Sequence, residues 1–269
     1  MSMLSGAALT AAVAAGAAAL CFCSFAHPAR RPLVVAVCGT SCSGKSTIAS
    51  RLARELNGGD PDAAALCQDD SFDYSSFATN NCPLRAAGDG RVWKDWESPD
   101  AILWPEYIAS VLAAKQAADA RPVIVVEGFL LMARPASVEL FDAVVSIEIT
   151  KEEAWRRRRG RAQSMAHLPP GAGENTNYEV LEVYTREGDD RAAFSALADA
   201  RYSDEGPLAW LRLYFEECVW PAAQAQQELV AALPRTMPVL RLDGCEPQGS
   251  EAWAAARLPQ VLSFVQTLQ

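Results

Sequence analysis

Leu33-Val34-Val35-Ala36-Val37-Cys38-Gly39-Thr40-Ser41-Cys42-Ser43-Gly44-Lys45-Ser46-Thr47 is the stretch whose reading decides the fold. Its first six residues are apolar, rich in β-branched side chains and too few for a helix of their own, so they read as a buried strand. Gly39 to Ser46 fits G-x-x-x-x-G-K-[ST], the phosphate-binding P-loop. The spacing has a physical reason. Two glycines let the backbone wrap close to phosphate oxygens with its N–H groups pointing inward. Lys45 can reach the β- and γ-phosphates, and Ser46 offers its hydroxyl to Mg²⁺. The helix that follows, over 47–56, carries Ile48, Leu52 and Leu56 on one face and aims its positive end at the same phosphates. Average residue usage produces this pattern by accident in roughly one chain in a hundred of this length. With strand and helix in place around it, the stretch implies a nucleoside triphosphate site for ATP and Mg²⁺.

Working outward, 57–61 is a breaker cluster and 63–67 reads as a short second strand, ending at Gln68-Asp69-Asp70-Ser71-Phe72. In an open α/β sheet a carboxylate at a strand's C-terminal end faces the ligand crevice, which makes Asp69 a candidate. Residues 122–128 form a continuous apolar run, a strand buried on both faces, with Glu127 near its end. There a carboxylate can hold Mg²⁺ through water or orient an acceptor. Strands are also expected at 141–149 and 239–242. Between the second and third strands, 73–97 reads as a loop bearing Tyr74, Phe77, Trp93 and Trp96. Ser98 then caps a helix expected to run to about Ala120, with Pro99 in its first turn and Asp100 on its positive end.

Residues 151–161 read as a helix crowded with Arg156, Arg157, Arg158, Arg159 and Arg161. In an acidic chain that density reads either as a solvated basic face or as a lid that clamps phosphates, since guanidinium matches phosphate oxygens in a bidentate fork. An insertion follows over about 162–208, partly helical from 178 to 201. A helix at 210–233 carries Pro221 as a kink or break, and 253–268 closes the chain as a helix. Strands alternating with helices argue an α/β fold built on the P-loop: a five-stranded parallel sheet with helices on both faces and a lid insertion over about 156–209.

At 269 residues and 50% hydrophobic content the chain can bury a full core as one domain over 33–269. Its formal charge of −9 argues against a large nucleic-acid footprint, so no nucleic-acid partner is expected. Eight cysteines contain no C-x-x-C, and Cys38 and Cys42 in the strand and loop suit reduced thiols. With only His27 and His167, a zinc site has almost nothing to work with. Residues 1–32 are set apart as an alanine-rich leader or disordered tail. The expected location is cytoplasmic, or organellar if the leader is a targeting sequence, with no stable membrane association unless it is retained.

Several pieces, in order, resemble the nicotinamide riboside kinase family within the uridine-kinase-like P-loop kinases. They are Gly39 to Thr47, Gln68 to Phe72, Asp95-Trp96-Glu97-Ser98-Pro99-Asp100-Ala101, Glu127-Gly128-Phe129-Leu130-Leu131, Arg156 to Arg161, Tyr214-Phe215-Glu216-Glu217 and Leu242-Asp243-Gly244. The resemblance implies ATP-dependent phosphorylation of the 5′-hydroxyl of nicotinamide riboside, giving nicotinamide mononucleotide for NAD salvage. It implies that Lys45 and Ser46 hold phosphate and Mg²⁺, and that Asp69 faces the acceptor, takes its proton and assists Mg²⁺. It further implies that Trp96 and Glu97 stack on the base and bind the ribose, and that Glu127 supports the magnesium shell. Arg157, Arg158 and Arg161 would sit at lid positions, and Asp243 and Gly244 near adenine. A flat pyridinium cation also suits a pocket offering Phe72, Trp96 and carboxylates. The chain departs from the family at Glu97, where Asp is common, and at Gln163 and Ser164, where an aromatic is common; Tyr178, Tyr184, Tyr202 or Tyr214 would then supply a second stacking face. Two alternatives stand beside this reading: a uridine or other small-molecule kinase of the same fold, and a P-loop nucleotide-binding regulator.

Overall fold

β1 (Leu33–Gly39) sits at the middle of a five-stranded parallel sheet, buried along its length from Val34 to Cys38. The computed structural model describes residues 31–60, 63–72, 82–86, 92–117, 121–165, 200–245 and 250–269, and residues 31–269 form one compact unit. The leader expected at 1–32 lies outside the described residues apart from its last two, as do Tyr74, Phe77, Tyr178, Tyr184 and most of the expected insertion.

From β1 the chain passes through the glycine loop into α1 (Lys45–Leu56), then β2 (Leu66–Cys67) and a 3-10 turn, Gln68–Ser71. An antiparallel hairpin follows, β3 (Leu84–Ala86) with β4 (Val92–Lys94), then a 3-10 turn at Pro99–Ala101 and α2 (Trp104–Gln116). β5 (Val123–Gly128), a short α3 (Pro135–Val138), β6 (Ala143–Glu148) and α4 (Lys151–Met165) come next. Beyond the undescribed stretch lie a 3-10 turn at Ser203–Leu208, α5 (Ala209–Tyr214), a π turn at Phe215–Val219, α6 (Trp220–Ala231), β7 (Val239–Asp243) and α7 (Ser250–Gln266).

Strand order is β2-β5-β1-β6-β7, all pairs parallel, and helices cover both faces. This is the α/β P-loop kinase fold expected from the alternation of elements and from the family resemblance. β5 is buried at every residue, as its unbroken apolar run requires. Each fully buried Val in these strands contributes about 1.5–3 kcal/mol relative to exposure. The chain leaves β1 toward β2 and β5 on one side and later returns to β6 and β7 on the other. The crevice beyond the carboxyl ends of β1 and its neighbours is therefore the ligand site expected of such a sheet. Register sharpens the point: Glu127 lies directly between Val37 of β1 and Cys67 of β2.

Local structure departs from the sequence expectations at several places. The second strand is only Leu66–Cys67, because β2 is an edge that reaches β5 just at Val126 and Glu127. The loop expected at 73–97 contains the β3–β4 hairpin, whose three-residue strands are too short to register as a period of two. The helix expected from Ser98 is broken in two. Ser98 Oγ does accept the Asp100 N–H, but Ile102 bridges Phe72 and the Leu103 N–H donates to Ser71 O at 2.9 Å, so tertiary pairing takes the backbone before α2 can start. The helix expected at 151–161 extends to Met165. The helix expected at 210–233 exists, with a π turn just upstream of Pro221. Proline has no N–H for the carbonyl four residues back and crowds it, and the wider turn absorbs the misfit. Among the described residues, the six cysteines are free thiols and no helix is long and apolar enough to cross a membrane.

Candidate active site

The glycine loop is folded tightly at the end of β1, where the Ser43 N–H donates to Thr40 O at 3.0 Å. Gly44 caps α1 at φ 96°, left-handed backbone that side chains resist. Cys42 takes φ 65° without being glycine, a strained conformation of the sort concentrated at functional sites. A Cβ on Gly39 would come within 2.7 Å of Ser43 Oγ and 2.9 Å of Ile147 O, so only glycine lets the loop close onto β6. α1 begins with no side-chain cap and no acidic residue in its first turn. Its positive end is thus left for a ligand, which is what an anion site needs.

Lys45, at the start of α1, is buried. Burial pushes its ammonium down, but the carboxylates of Glu127 and Asp69 outweigh that, and the net shift is upward. It stays charged. Its Nζ also lies 5.9 Å from the Phe129 ring centroid. Asp69, on the turn after β2, is raised by burial, drawn back by Lys45 and pushed further by Glu127 and Asp70. Glu127 accepts the Cys67 thiol at 3.1 Å through Oε1. That thiol is itself pushed up to about 12 by burial and by the neighbouring carboxylates, so it remains a donor. Glu127 Oε2 and Asp69 Oδ1 are both buried without a hydrogen-bond partner. Orphaned carboxylate oxygens are costly in a protein interior unless a ligand completes them.

A second wall stands beside these acids. Phe72 stacks on Phe129 with centroids 6.0 Å apart and meets Trp96 edge-on at 6.0 Å. Trp96 is buried, its N–H donating to the Tyr214 hydroxyl at 3.0 Å, with Lys94 Nζ 5.9 Å from its ring. Glu97 is buried as well. Burial lifts its carboxyl to about 7, Arg158 pulling it down and Asp95 and Asp69 pushing it up. Arg158 is buried and donates Nη1 to Ser41 Oγ at 3.2 Å, tying the arginine helix to the phosphate loop. A shallow recess, open to solvent and lined by Thr40, Ser41, Glu97, Phe129 and Val219 among others, lies between the loop and the π-turned helix.

The arginines of α4 divide by role. Arg157 donates to Ser43 O at 3.2 Å and to Gly244 O, and is held from below by Glu153. It pins the phosphate loop to the end of β7, a role the sequence pattern did not separate from clamping. Arg156 pairs with Glu153 and Arg159 with Glu205 on the outer face. Arg161 is exposed, yet its charge is felt at Asp69. Asp243 accepts the Cys245 N–H at 2.8 Å and, through its carbonyl, the Trp253 indole at 2.9 Å, while the Gly244 N–H donates to Glu148 O. These two residues therefore anchor the loop after β7. Nothing in the local pattern pointed to Phe129 beside Lys45, to buried Lys94 beside Trp96, or to Trp253, whose indole would lie 3.4 Å from a Cβ on Gly44. Gln68 was legible as part of a motif but not for its role, which is to accept the Leu130 N–H at 2.9 Å and fix the chain after β5.

Among the described residues no cluster of three or more His, Cys, Asp or Glu could hold a metal by itself. Mg²⁺ fits here only as a partner of bound phosphate. The two orphaned carboxylate oxygens and the exposed hydroxyl of Ser46 are the all-oxygen donors that this hard cation takes, and it ordinarily keeps water and phosphate in its remaining positions.

Comparison with known proteins adds three findings. A family model described as AAA domain matches residues 35–182. Nicotinamide riboside kinase 2 from Mus musculus is 24% identical over 189 residues, 65% of this chain and 90% of that protein. A crystal structure from Silicibacter sp. TM1040, of a protein proposed to be a fructose transport system kinase, is 15% identical, covers 53% of this chain and 77% of its own, and superimposes with a TM-score of 0.39.

Proposed function

The chain belongs to the AAA-domain family, and from that premise and the geometry of the site we propose that it transfers the γ-phosphate of ATP to the 5′-hydroxyl of nicotinamide riboside, giving nicotinamide mononucleotide for NAD biosynthesis. The observation that carries this reading is the pair of buried, partnerless carboxylate oxygens on Asp69 and Glu127, facing one charged Lys45 at the phosphate loop. A regulator that only holds nucleotide has no use for an acceptor-side acid. A kinase does.

In this reading the loop amides and Lys45 hold the phosphate tail, and Ser46, Asp69 and Glu127 would hold Mg²⁺. When bound, the cation neutralises phosphate charge. Phosphoryl transfer runs through a loose transition state, so positioning and charge neutralisation dominate over strong base catalysis. Asp69 orients the acceptor hydroxyl and collects its proton late, a task suited to a carboxyl raised above its ordinary range. Arg158, fixed to Ser41, supplies positive charge beside the loop. Phe72 and Trp96 offer faces to a flat pyridinium cation, an attraction of about 0.5–2 kcal/mol, and Glu97 accepts ribose hydroxyls.

The test is a panel of acceptors with MgATP, read by ADP release and by mass of the product. Nicotinamide riboside is expected to be preferred over uridine and pantothenate. Preference for uridine would replace this reading with the related kinase. Nucleotide turnover indifferent to every nucleoside, and retained in Asp69→Ala, would replace it with the regulator.

A further inference from the structure

Tyr214 is 1% exposed, so it cannot serve as an open stacking face for a substrate. Two of its contacts bear on the site. Its phenol oxygen accepts the backbone N–H of Trp96 at 3.0 Å, from a strand-to-turn segment 118 residues away. Its ring lies beneath the guanidinium of Arg158, whose Cζ is 5.9 Å from the centroid, and Arg158 continues to Ser41 of the phosphate loop. A single side chain thereby touches both the aromatic wall of the acceptor side and the arginine that meets the loop.

The backbone around Tyr214 is held firmly. It is the last residue of α5, directly before the π turn. The next residue, Phe215, packs on Trp155 of α4 at 5.4 Å, and Arg212 lies 4.8 Å over the same indole. Glu216, on the π turn, pairs with Lys151 at the start of α4 and with Arg212. π turns recur at functional sites because they re-aim side chains that a regular helix would place elsewhere. Here the one before Pro221 sits beside the residue that links two halves of the site.

We infer that Tyr214 is a positioning residue: its hydroxyl sets the backbone of Trp96, and with it the adjoining Glu97, while its ring sets Arg158 against the phosphate loop. The inference deepens the proposed kinase reading and rests on it. The two tasks are chemically separable, since phenylalanine keeps the ring and loses the acceptor oxygen.

The experiment compares the full-length parent with Tyr214→Phe and Tyr214→Leu by steady-state kinetics with nicotinamide riboside and ATP, by thermal melting, and by hydrogen–deuterium exchange of the segment containing Trp96. In Tyr214→Phe the KM for nicotinamide riboside is expected to rise about three- to tenfold, the effect of one lost hydrogen bond, with kcat and the KM for ATP within about twofold. Exchange at the Trp96 segment should quicken. Tyr214→Leu should in addition lower kcat by about tenfold, because Arg158 loses its seat. Equal shifts in both Michaelis constants, or an unmoved acceptor KM in Tyr214→Phe, would overturn the inference, and the phenylalanine variant decides the matter even if the leucine variant fails to fold. A parent inert toward every nucleoside would sink the proposed function alone. Exchange of the Trp96 segment would then decide for Tyr214, and exchange unchanged by Tyr214→Phe overturns its role whatever the acceptor proves to be.

Discussion

Replacing Glu97 with Gln should stabilise the protein at alkaline pH and scarcely change it at acid pH. The Glu97 carboxyl is buried and lifted from 4.5 to about 7, with Arg158, Asp95, Asp69 and Lys45 the charges that act on it. A carboxyl raised in the folded state binds its proton more tightly there than in the unfolded chain. Folding stability is therefore greatest below the unfolded value and falls as pH climbs from 4.5 through about 7. The whole displacement corresponds to about 3 kcal/mol, and the part falling between pH 5 and 8.5 is about 2–3 kcal/mol. Gln imitates the neutral acid and carries no such loss. The melting temperature of Glu97→Gln relative to the parent should accordingly gain about 5–10 °C more at pH 8.5 than at pH 5, using the usual 2–4 °C per kcal/mol for a chain of this size. Activity should move the opposite way. Ionised Glu97 is the better acceptor for ribose hydroxyls, so kcat/KM for the nucleoside should rise as pH passes about 7 in the parent, and that limb should vanish in the variant. A melting difference that is the same at both pH values would refute the reasoning, because it would mean that Glu97 titrates alike in the folded and unfolded chain.

Lys45→Ala should abolish measurable transfer, a loss of at least about a hundredfold, since the buried cation that balances Asp69 and Glu127 at the loop is removed; circular dichroism should report an intact fold, and retained turnover would reject the role. Trp96→Ala should raise the KM for nicotinamide riboside more than that for ATP, and an equal rise in both would count against stacking. Gly44→Ala should cost about 1–2 kcal/mol for side-chain strain at φ 96° and also raise the KM for ATP, whereas Gly58→Ala, at φ 73° with nothing within 4 Å, should destabilise without touching nucleotide affinity.

What the sequence made legible is what depends on near neighbours. The strand, glycine loop and helix over residues 33–56 declare themselves through contiguous residues, and β5 through an unbroken apolar run that only a doubly covered strand tolerates. Asp69 and Glu127 could be picked out because strand ends in such a sheet face the crevice, and the register of β2, β5 and β1 sets Glu127 between its neighbours accordingly. What stayed hidden depends on distant pairs. The break between Ala101 and Trp104 is set by pairing with Ser71 and Phe72, about thirty residues earlier, together with Pro105, which suits the first turn of α2 and not a helix interior. Arg157 looks like its neighbours in the chain, and only Ser43, Gly244 and Glu153 distinguish it as a pin. Tyr214 meets Trp96 from 118 residues further along the chain.

The same division bears on where specificity resides. The donor half of the site is one uninterrupted segment, Gly39 to Thr47, and any protein carrying it will hold a phosphate tail in much the same way. In the proposed reading, the acceptor half is assembled from Asp69 and Phe72 after β2, Trp96 and Glu97 after the hairpin, Phe129 after β5, Arg158 on α4 and Tyr214 before the π turn. Each of these can shift by a turn or a side chain without disturbing the loop. A tenth of a nanometre at Trp96 matters to a nucleoside held in a reactive pose, and hardly matters to ATP. Nucleotide binding will therefore discriminate poorly among the readings of this protein, while the choice of acceptor, and its response to Glu97 and Tyr214, discriminates well.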